Sequence, residues 1–473
     1  MSQYRPSTAV NPQRRRNRLF AAGVIVLAGA MLGIALIAFG CARLNRSASQ
    51  PEPQVTFVPQ VTIFAPQPTP TPQPALSNPS PNPPAVSTSV ADPRGRIAGI
   101  DDFTCPNPRP APSTFGFGIQ SNWSVGDIGY WNSVMAEQLR LSWTRAKINW
   151  HEFEPERGKP FLFQYQLLDA FIGDANKKGL NIVLTITQPP QWTRVTPPKQ
   201  PYHRPSPPED FNEGVRFFSQ IAARYKGCIQ AIEVLNETNL DREWTVASGE
   251  IRAADYVEFL KVVVPPLRQI DPALIIIMAA PSPTGANIPG AVQDDFLYLE
   301  DFVKAGGLDY VDCIGVHLNG YNMPPDKRWD EGYNDPTARF RGPFDNPHHS
   351  WSLLSTIEGY RQRTSKPMCV TEFGWASTEN LKRKDGTPVQ GAPPGFDFAL
   401  DNTEREQAEW IKRSIEIFRE LGYVRFATVF NLDFIQKIGQ NPDEPGGDPA
   451  LYSVIRQDGS PRPAFEVLRD MPR

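Results

Sequence analysis

Short apolar runs alternate with amphipathic, helix-like patterns along the chain from about residue 112 onward. Repeated strand–helix units of this kind predict a parallel sheet whose crossover connections are helices. Eight runs have the length and composition of strands: 115–120, 139–148, 181–187, 229–235, 274–280, 311–317, 367–373 and 425–430. Eight such units within one domain predict an α/β fold of the closed (β/α)8 TIM-barrel type.

The segments between these runs support the same fold. Amphipathic patterns cover 164–178, 211–225, 251–269, 293–305, 351–363 and 403–420. Connections from a helix to the next strand are short, as at 271–273, whereas those from a strand to the next helix are long, as at 188–209 and 318–349. Barrel enzymes carry their sites on these long loops. An open doubly wound sheet is the rival fold, but the GxGxxG turn that usually marks it is absent.

The amino-terminal part of the chain has a different character. Residues 19–42 form an uncharged apolar run, long enough as a helix to cross a bilayer at roughly 1.5 Å per residue. Arginines in residues 1–18 predict that this end is cytoplasmic, that 19–42 is a single-pass signal anchor and that the rest lies outside the cell membrane. A lipoprotein modified at Cys41 is the alternative. Residues 43–98 are proline-rich and predict a disordered linker before a catalytic domain over 99–473.

Charge and cysteine usage narrow the classes of function. The net charge is −3 and no long basic stripe follows the amino-terminal end, so nucleic acid is not an expected partner. No CxxC or HExxH spacing predicts a zinc site. Three of the four cysteines of the barrel domain lie in or beside apolar runs, which predicts buried small side chains rather than metal ligands. The four are Cys105, Cys228, Cys313 and Cys369, and the last three are the ones in or beside apolar runs. An extracellular setting permits disulfides, but the sequence does not pair these residues or define an oligomeric state.

Polar side chains stand at the carboxyl ends of several predicted strands. Arg145 belongs to strand two, Asn236 and Glu237 follow strand four, His317 ends strand six and Glu372 lies at the end of strand seven. Because strands four and seven are three positions apart in an eight-stranded ring, the two glutamates face each other across the barrel mouth. At a separation of about 5 Å, one carboxylate can attack a sugar while the other protonates the leaving group. For either glutamate alone, the alternative is a salt bridge to a barrel arginine.

Three motifs carry a resemblance to a known superfamily. LNETN at 235–239, VTEFGW at 370–375 and TRAKINWHEFEPERG at 144–158 lie in the order and on the strands of the clan A glycoside hydrolases. This superfamily of retaining (β/α)8 enzymes includes cellulase-type enzymes, β-xylosidases and β-galactosidases. The resemblance covers roughly residues 110–470 and implies a retaining glycosidase.

The resemblance also implies roles for the strand-end residues. Glu237 corresponds to the acid/base and Glu372 to the nucleophile. Asn236 would hydrogen-bond the sugar 2-hydroxyl, Arg145 would keep Glu372 ionised, and His317 would line the sugar subsite. These groups complete the reaction, so neither a metal ion nor a cofactor is expected.

The chain departs from the superfamily pattern in three places. Thr238 stands where a proline often follows the glutamate, and Asn319 stands where a tyrosine commonly follows the strand-six histidine by two residues. Tyr321 is the nearby candidate for that tyrosine. Strand eight ends in Phe430 and Asn431 instead of the usual tryptophan. Because of these departures, the resemblance does not define the sugar.

Aromatic residues on the long loops complete the predicted substrate-binding surface, since ring faces suit sugar rings. The candidates are Trp192, Trp244, Tyr321 and Trp375, and the alternative for each is that it packs its own loop. The expected partners are a carbohydrate, through this site, and a membrane, through residues 19–42. A carbohydrate-binding barrel without hydrolytic activity is the alternative function.

Overall fold

The computed structural model describes residues 95–194, 207–244 and 250–473. Within them, eight parallel strands close into a barrel in chain order, with the last strand hydrogen-bonded to the first. The strands are β1 Gly116–Gln120, β2 Trp143–Asn149, β3 Asn181–Thr187, β4 Ala231–Val234, β5 Ile275–Met278, β6 Cys313–Gly320, β7 Met368–Trp375 and β8 Val424–Val429. The predicted (β/α)8 barrel is confirmed.

Helices alternate with the strands and pack against the outside of the barrel. In the described ranges they are α1 Ile128–Ser133, α2 Trp150–Phe153, α3 Leu162–Lys177, α4 Phe211–Arg224, α5 Ala253–Ile270, α6 Asp295–Lys304, α7 Gly342–Asp345, α8 Leu353–Arg363, α9 Glu404–Leu421, α10 Phe434–Lys437 and α11 Pro463–Asp470. The six predicted amphipathic segments correspond to α3, α4, α5, α6, α8 and α9. Periodicity succeeded there because each helix buries one apolar face against the strands.

Apolar side chains fill the amino-terminal half of the barrel. Trp143 of β2 stacks on Phe426 of β8, with ring centroids 4.4 Å apart. Gly118 of β1 lets the backbones of β1 and β2 approach closely beside this pair, since a Cβ there would lie 1.9 Å from the Trp143 carbonyl oxygen. With this half closed by large rings, the polar groups of the interior gather at the carboxyl ends of the strands.

The four cysteines of the described chain form two disulfides. Cys105 bonds to Cys228, just before β4, and Cys313 of β6 bonds to Cys369 of β7 inside the barrel. Three of the four are buried, as expected, and the disulfides that the sequence permitted but did not pair are formed. The pairing was beyond sequence reasoning because four cysteines allow three connectivities. Both cross-links close long segments and so reduce the conformational entropy of the unfolded chain.

The predicted membrane helix over 19–42 lies outside the described residues, as does nearly all of the predicted linker over 43–98. None of the helices between residues 95 and 473 that the structure describes has the length and apolar character needed to cross a bilayer. The anchor therefore stays a prediction.

Candidate active site

The carboxyl end of the barrel brings together all five polar residues that the sequence placed at strand ends. They are Arg145, Asn236, Glu237, His317 and Glu372. Arg145 contacts both Glu372 and Asn236, and His317 contacts both glutamates. One connected network thus joins residues from four strands or strand ends, as parallel strands of a barrel allow.

Glu372 of β7 is held as a carboxylate. Its Oε1 forms an ion pair with Arg145 and lies 3.8 Å from His317 Nε2, while the Asn319 amide donates to Oε2 at 3.5 Å. Burial raises the pKa of Glu372, but the charges of His317 and Arg145 outweigh it and bring the pKa below its ordinary value. An ionised carboxylate is the state that a nucleophile requires.

Asn319, rather than Tyr321, contacts Glu372. The Tyr321 ring packs edge-on against Trp351 and Phe398, at centroid distances of 4.5 and 4.8 Å. Burial, together with the charge of Glu237, raises the pKa of Tyr321 to about 12. Tyr321 therefore lies beside the network as a neutral hydroxyl, and the amide takes the place that the resemblance assigns to a tyrosine.

Arg145 is fully buried and bridges two carboxylates. Besides its ion pair with Glu372, its Nη2 donates to Glu233 of β4 at 2.9 Å. Gln120 accepts from Nη1 and Thr185 from Nε, each at 2.8 Å. The guanidinium is fixed from several sides, so Glu372 is aligned by a rigid partner. Glu233 was not identified from the sequence. All four residues of β4 are buried, so the apolar run gives no alternation that would mark Glu233 as facing the barrel interior.

Arg145→Ala is expected to destabilise the folded protein strongly. The substitution leaves the buried carboxylates of Glu233 and Glu372 without their shared counter-charge, and breaking a buried ion pair costs about 3–5 kcal/mol. The contact with Glu233 makes the effect one on stability as well as on the alignment of Glu372. Thermal denaturation checks it, with Arg405→Ala, which breaks an exposed pair with Glu409, as control. Equal melting temperatures for the two variants would contradict the prediction.

The backbone at Glu237 adopts a costly conformation that its neighbours maintain. Its φ is +40°, in the left-handed region that residues with a Cβ avoid. Thr238 Oγ1 accepts a hydrogen bond from Tyr298 of α6 at 2.9 Å. The Asn239 amide donates to the carbonyl oxygen of Gln293 at 2.9 Å. The two polar residues that follow Glu237 in LNETN thus fasten the end of β4 to the segment at the start of α6.

The Glu237 carboxylate has two cationic neighbours. His317 Nδ1 lies 3.1 Å from Oε1, and Arg242 Nη2 donates to Oε2 at 2.8 Å. Burial is the largest influence and raises the pKa of Glu237, but Arg242 and His317 together outweigh it and lower the pKa well below its ordinary value. The residue expected to be the general acid is therefore ionised in this arrangement.

His317 separates the two glutamates by the width of one imidazole ring. Its pairing with β7 follows a register shift between Val316 and His317. Burial lowers the pKa of His317, but Glu372 and Glu237 outweigh it, and the pKa lies above its ordinary value. A buried imidazole that favours its charged form offsets the repulsion between the two carboxylates.

A fourth carboxylate, that of Glu243, borders this network. The Asn236 amide donates to Glu243 Oε1 at 3.1 Å, and Lys147 Nζ lies 3.6 Å from the same oxygen. Because the Asn236 oxygen accepts from Arg145, its side-chain orientation is set on both sides. Glu243 and Arg242 lie in an irregular loop, and no periodicity in the sequence points to their place in the site.

Two of the predicted sugar-stacking aromatics are core residues. Trp244 and Trp375 are each 1% exposed. The Trp375 indole donates to the Met323 carbonyl oxygen at 3.1 Å, and Trp244 packs edge-on against Tyr256. Neither ring has a free face for a sugar, so this part of the sequence prediction is wrong.

Trp192 is also occupied by protein contacts. Its indole donates to the Glu154 carbonyl oxygen at 2.9 Å, and its ring meets Trp150 edge-on. Of the four aromatics, Tyr321 is the one whose pKa is raised by the charge of Glu237, as well as by burial. The sequence shows which loops carry aromatic residues, but the packing of each loop determines whether a ring faces the site.

The barrel with polar groups at its carboxyl end is a fold found among solved glycoside hydrolases. Similar structures include a family 39 glycoside hydrolase from Bacteroides cellulosilyticus WH2, with 18% identity and a TM-score of 0.49. They also include an exo-β-1,4-mannosidase from Opitutaceae bacterium strain TAV5, with 13% identity and a TM-score of 0.50. An endo-1,4-β-xylanase from Caldicellulosiruptor owensensis has 13% identity and a TM-score of 0.48.

These similarities concern the fold. The matches cover 76%, 78% and 77% of this chain, and 63%, 61% and 100% of the hydrolase, mannosidase and xylanase chains, respectively. The chain thus spans less than two thirds of the first two. No protein-family model and no curated protein matches the sequence. The predicted resemblance to glycoside hydrolase barrels is confirmed at the level of the fold.

Proposed function

We propose that this chain is a retaining O-glycosyl hydrolase that cleaves oligo- or polysaccharides. The observation that carries the proposal is the placement of Glu237 and Glu372 at the ends of β4 and β7, on opposite sides of the His317 ring. Two carboxyl groups facing each other across a barrel mouth suit a double displacement. The reaction class agrees with the named enzymes of similar fold.

In the proposed first step, Glu372 attacks the anomeric carbon while Glu237 gives a proton to the departing glycosidic oxygen. A glycosyl ester on Glu372 results, and the free alcohol leaves. In the second step, Glu237 takes a proton from water, whose oxygen attacks the same carbon and releases Glu372. Two inversions give net retention. Arg145 aligns the attacking carboxylate and limits its repulsion with Glu237.

The first step requires a proton on Glu237, whereas the ion pair with Arg242 favours the carboxylate. Burial raises the pKa of Glu237, and the charge of Arg242 is the largest influence that lowers it, so loss of the Arg242 contact would raise this pKa and favour the protonated acid. Arg242 is 25% exposed and reaches Glu237 from the loop after β4. We therefore propose that a bound glycoside takes the place of the guanidinium beside Glu237 and thereby raises the pKa of the acid.

Arg242→Ala is expected to shift the alkaline limb of kcat/KM upward by about 1–3 pH units. The limb reports the acid in the free enzyme, and its pKa rises when the neighbouring positive charge is removed. The pH profile with an aryl glycoside measures the shift, with Arg405→Ala as control for a charge change elsewhere. An unchanged limb would show that Glu237 is not the titrating acid or that Arg242 does not control it.

The same ion pair favours one alternative, a carbohydrate-binding barrel without turnover. A permanently paired Glu237 could hold a sugar hydroxyl but could not protonate a leaving group. A panel of aryl glycosides, assayed with the 473-residue chain, separates the two functions. We expect turnover of at least one glycoside, and NMR should show that the first product formed has the same anomeric configuration as the substrate. Sugar binding without turnover across the panel would support the alternative, and an inverted product would reject the retaining mechanism.

The proposed location is outside the cytoplasm, on a single-pass membrane anchor. Two disulfides support an oxidising compartment, because such bonds are rare in the cytosol. The apolar run over 19–42, preceded by arginines, supports the anchor. Protease treatment of intact cells should release a barrel-sized fragment, and complete protection of the barrel would contradict this location.

A further inference from the structure

A second group of polar side chains lies where the start of α6 meets the segment before α8. We call it the His–Asp cluster, and its members are Asp294, Asp295, His348 and His349. Asp294, His348 and His349 each offer a ligand atom, and these atoms lie within 4.8 Å of one another. None of the four belongs to the proposed glycosidase mechanism.

His349 is buried at the centre of the cluster. Its Nε2 lies 3.5 Å from Asp294 Oδ2 and 3.7 Å from Asp295 Oδ1, and it has no hydrogen-bond partner among the described residues. Its Nδ1 lies 3.5 Å from Thr356 Oγ1, which can accept a hydrogen bond from an N–H at that position. The ring is stacked on Phe296 at 3.5 Å. Nε2 is thus aimed at two carboxylates by a ring that packing holds in place.

The two aspartates present unused oxygens to the same point. Asp294 Oδ1 caps α6 by accepting from the backbone N–H groups of Phe296 and Leu297, which leaves Oδ2 for His349. Asp295 is completely buried, and its polar neighbours include the Tyr360 hydroxyl and the His349 ring. Burying a carboxylate with so little compensation is unfavourable. A positive charge between the two adjacent aspartates would therefore stabilise this part of the fold.

His348 supplies a second imidazole with one nitrogen already engaged. Its Nδ1 lies 3.0 Å from Ser350 Oγ and accepts the backbone N–H of Ser350 at 3.3 Å. Binding a cation through Nε2 requires the other tautomer, in which Nδ1 donates its proton to the Ser350 hydroxyl and gives up the backbone hydrogen bond. Metal-binding histidines commonly donate their other ring N–H to a neighbouring oxygen, which fixes the ring and the tautomer.

We propose that the His–Asp cluster binds one divalent cation of the zinc type. Ligands placed about 2.0–2.2 Å from a tetrahedral ion lie roughly 3.3–3.6 Å apart. The His349 contacts at 3.5 and 3.7 Å match this spacing with little movement. Two imidazoles select zinc-like ions over calcium and magnesium, which prefer oxygen ligands alone. The bound ion would neutralise the two aspartates.

The cation would also support the active-site wall. Gln293 immediately precedes the cluster and is bonded through its carbonyl oxygen to Asn239, two residues after Glu237. His348 and His349 come from the segment before α8, on the other side of the contact. Cross-linking the two segments would hold the start of α6, to which the end of β4 is fastened. The inference itself is independent of the glycosidase proposal, because its test measures metal.

The test is zinc titration of the untagged 473-residue chain after chelator treatment. Calorimetry is expected to show one zinc ion per chain, with calcium at least 100-fold weaker, and zinc should raise the melting temperature. His349→Gln and Asp295→Asn should each weaken zinc binding by more than ~100-fold. Asp294→Asn keeps a residue able to cap α6 and separates metal loss from helix loss.

Matched variants control for nonspecific effects. Asp210→Asn changes the cap of α4 in the same way, and His151→Gln removes a histidine outside the cluster, so both should bind zinc normally. Wild-type protein that binds no zinc and melts at the same temperature with and without it would overturn the proposal. Equal zinc binding by wild type, His349→Gln and Asp295→Asn would likewise overturn it.

Discussion

Glu372→Ala is expected to lower kcat by on the order of 10⁵–10⁶-fold on every glycoside that the wild type cleaves. The expected loss is independent of the leaving group, because in the proposed mechanism the bond to the anomeric carbon is formed by Glu372 whatever the leaving group is. Arg145 and His317 already keep this carboxylate ionised, and no proton transfer need precede its attack. Initial rates on activated and unactivated glycosides measure the effect.

Rescue by azide distinguishes a missing nucleophile from a damaged barrel. In Glu372→Ala, azide can enter the space of the lost carboxylate and attack once, so the expected glycosyl azide has inverted configuration. Glu372→Gln keeps the size of the side chain and should be equally inactive without being rescued. Residual activity within tenfold of wild type, with an unchanged melting temperature, would remove Glu372 from the reaction.

The barrel was predictable because its two kinds of element have different sequence patterns: the strands are short apolar runs, whereas the helices carry apolar residues on one face at the helical period. The run at 181–187 matches β3 residue for residue, and α4 begins at the predicted position, Phe211. Boundaries were less certain where apolar residues continue beyond the hydrogen-bonded strand. The run at 139–148 began four residues before β2, since Leu139 and Leu141 pack in the core without belonging to the strand.

The site was predictable only where a residue's place follows from a strand end. Arg145, Glu237 and Glu372 meet because parallel strands of one barrel end at one rim. Arg242 approaches Glu237 from an irregular loop, and its effect on the acid could not be predicted from spacing. Trp375 stands at a strand end too, but its indole points into protein and finds the Met323 carbonyl oxygen.

The His–Asp cluster shows a second limit. Asp294 and Asp295 are separated from His348 and His349 by more than fifty residues, and no short metal-binding motif contains them. The CxxC and HExxH spacings that mark a zinc site in a sequence are absent. Tertiary packing of α6 against the segment before α8 creates the cluster, so only a three-dimensional structure reveals it.

Glu237→Ala is expected to separate substrates by their leaving groups. A natural glycoside releases a basic alkoxide that needs a proton, so hydrolysis should fall by about 10²–10⁴-fold. A dinitrophenyl glycoside leaves without a proton, so formation of the glycosyl ester on Glu372 should be nearly unchanged. The second step then becomes slow, because no base activates water. Stopped-flow measurements should show a burst of dinitrophenol followed by a slow steady state.

Rescue by azide tests whether Glu237 is the acid/base. Azide needs no general base, so it should discharge the ester in Glu237→Ala, restore turnover of the dinitrophenyl glycoside and give a glycosyl azide of retained configuration. Retention here and inversion in Glu372→Ala would place the two carboxylates on opposite faces of the sugar. One further result is expected for Arg242→Ala. This variant should show no burst of dinitrophenol, because its Glu237 is present and still acts as the general base in the second step. If Glu237→Ala loses activity equally on good and poor leaving groups and azide restores nothing, Glu237 is not the acid/base. The ion pair with Arg242 would then be a structural contact at the end of β4.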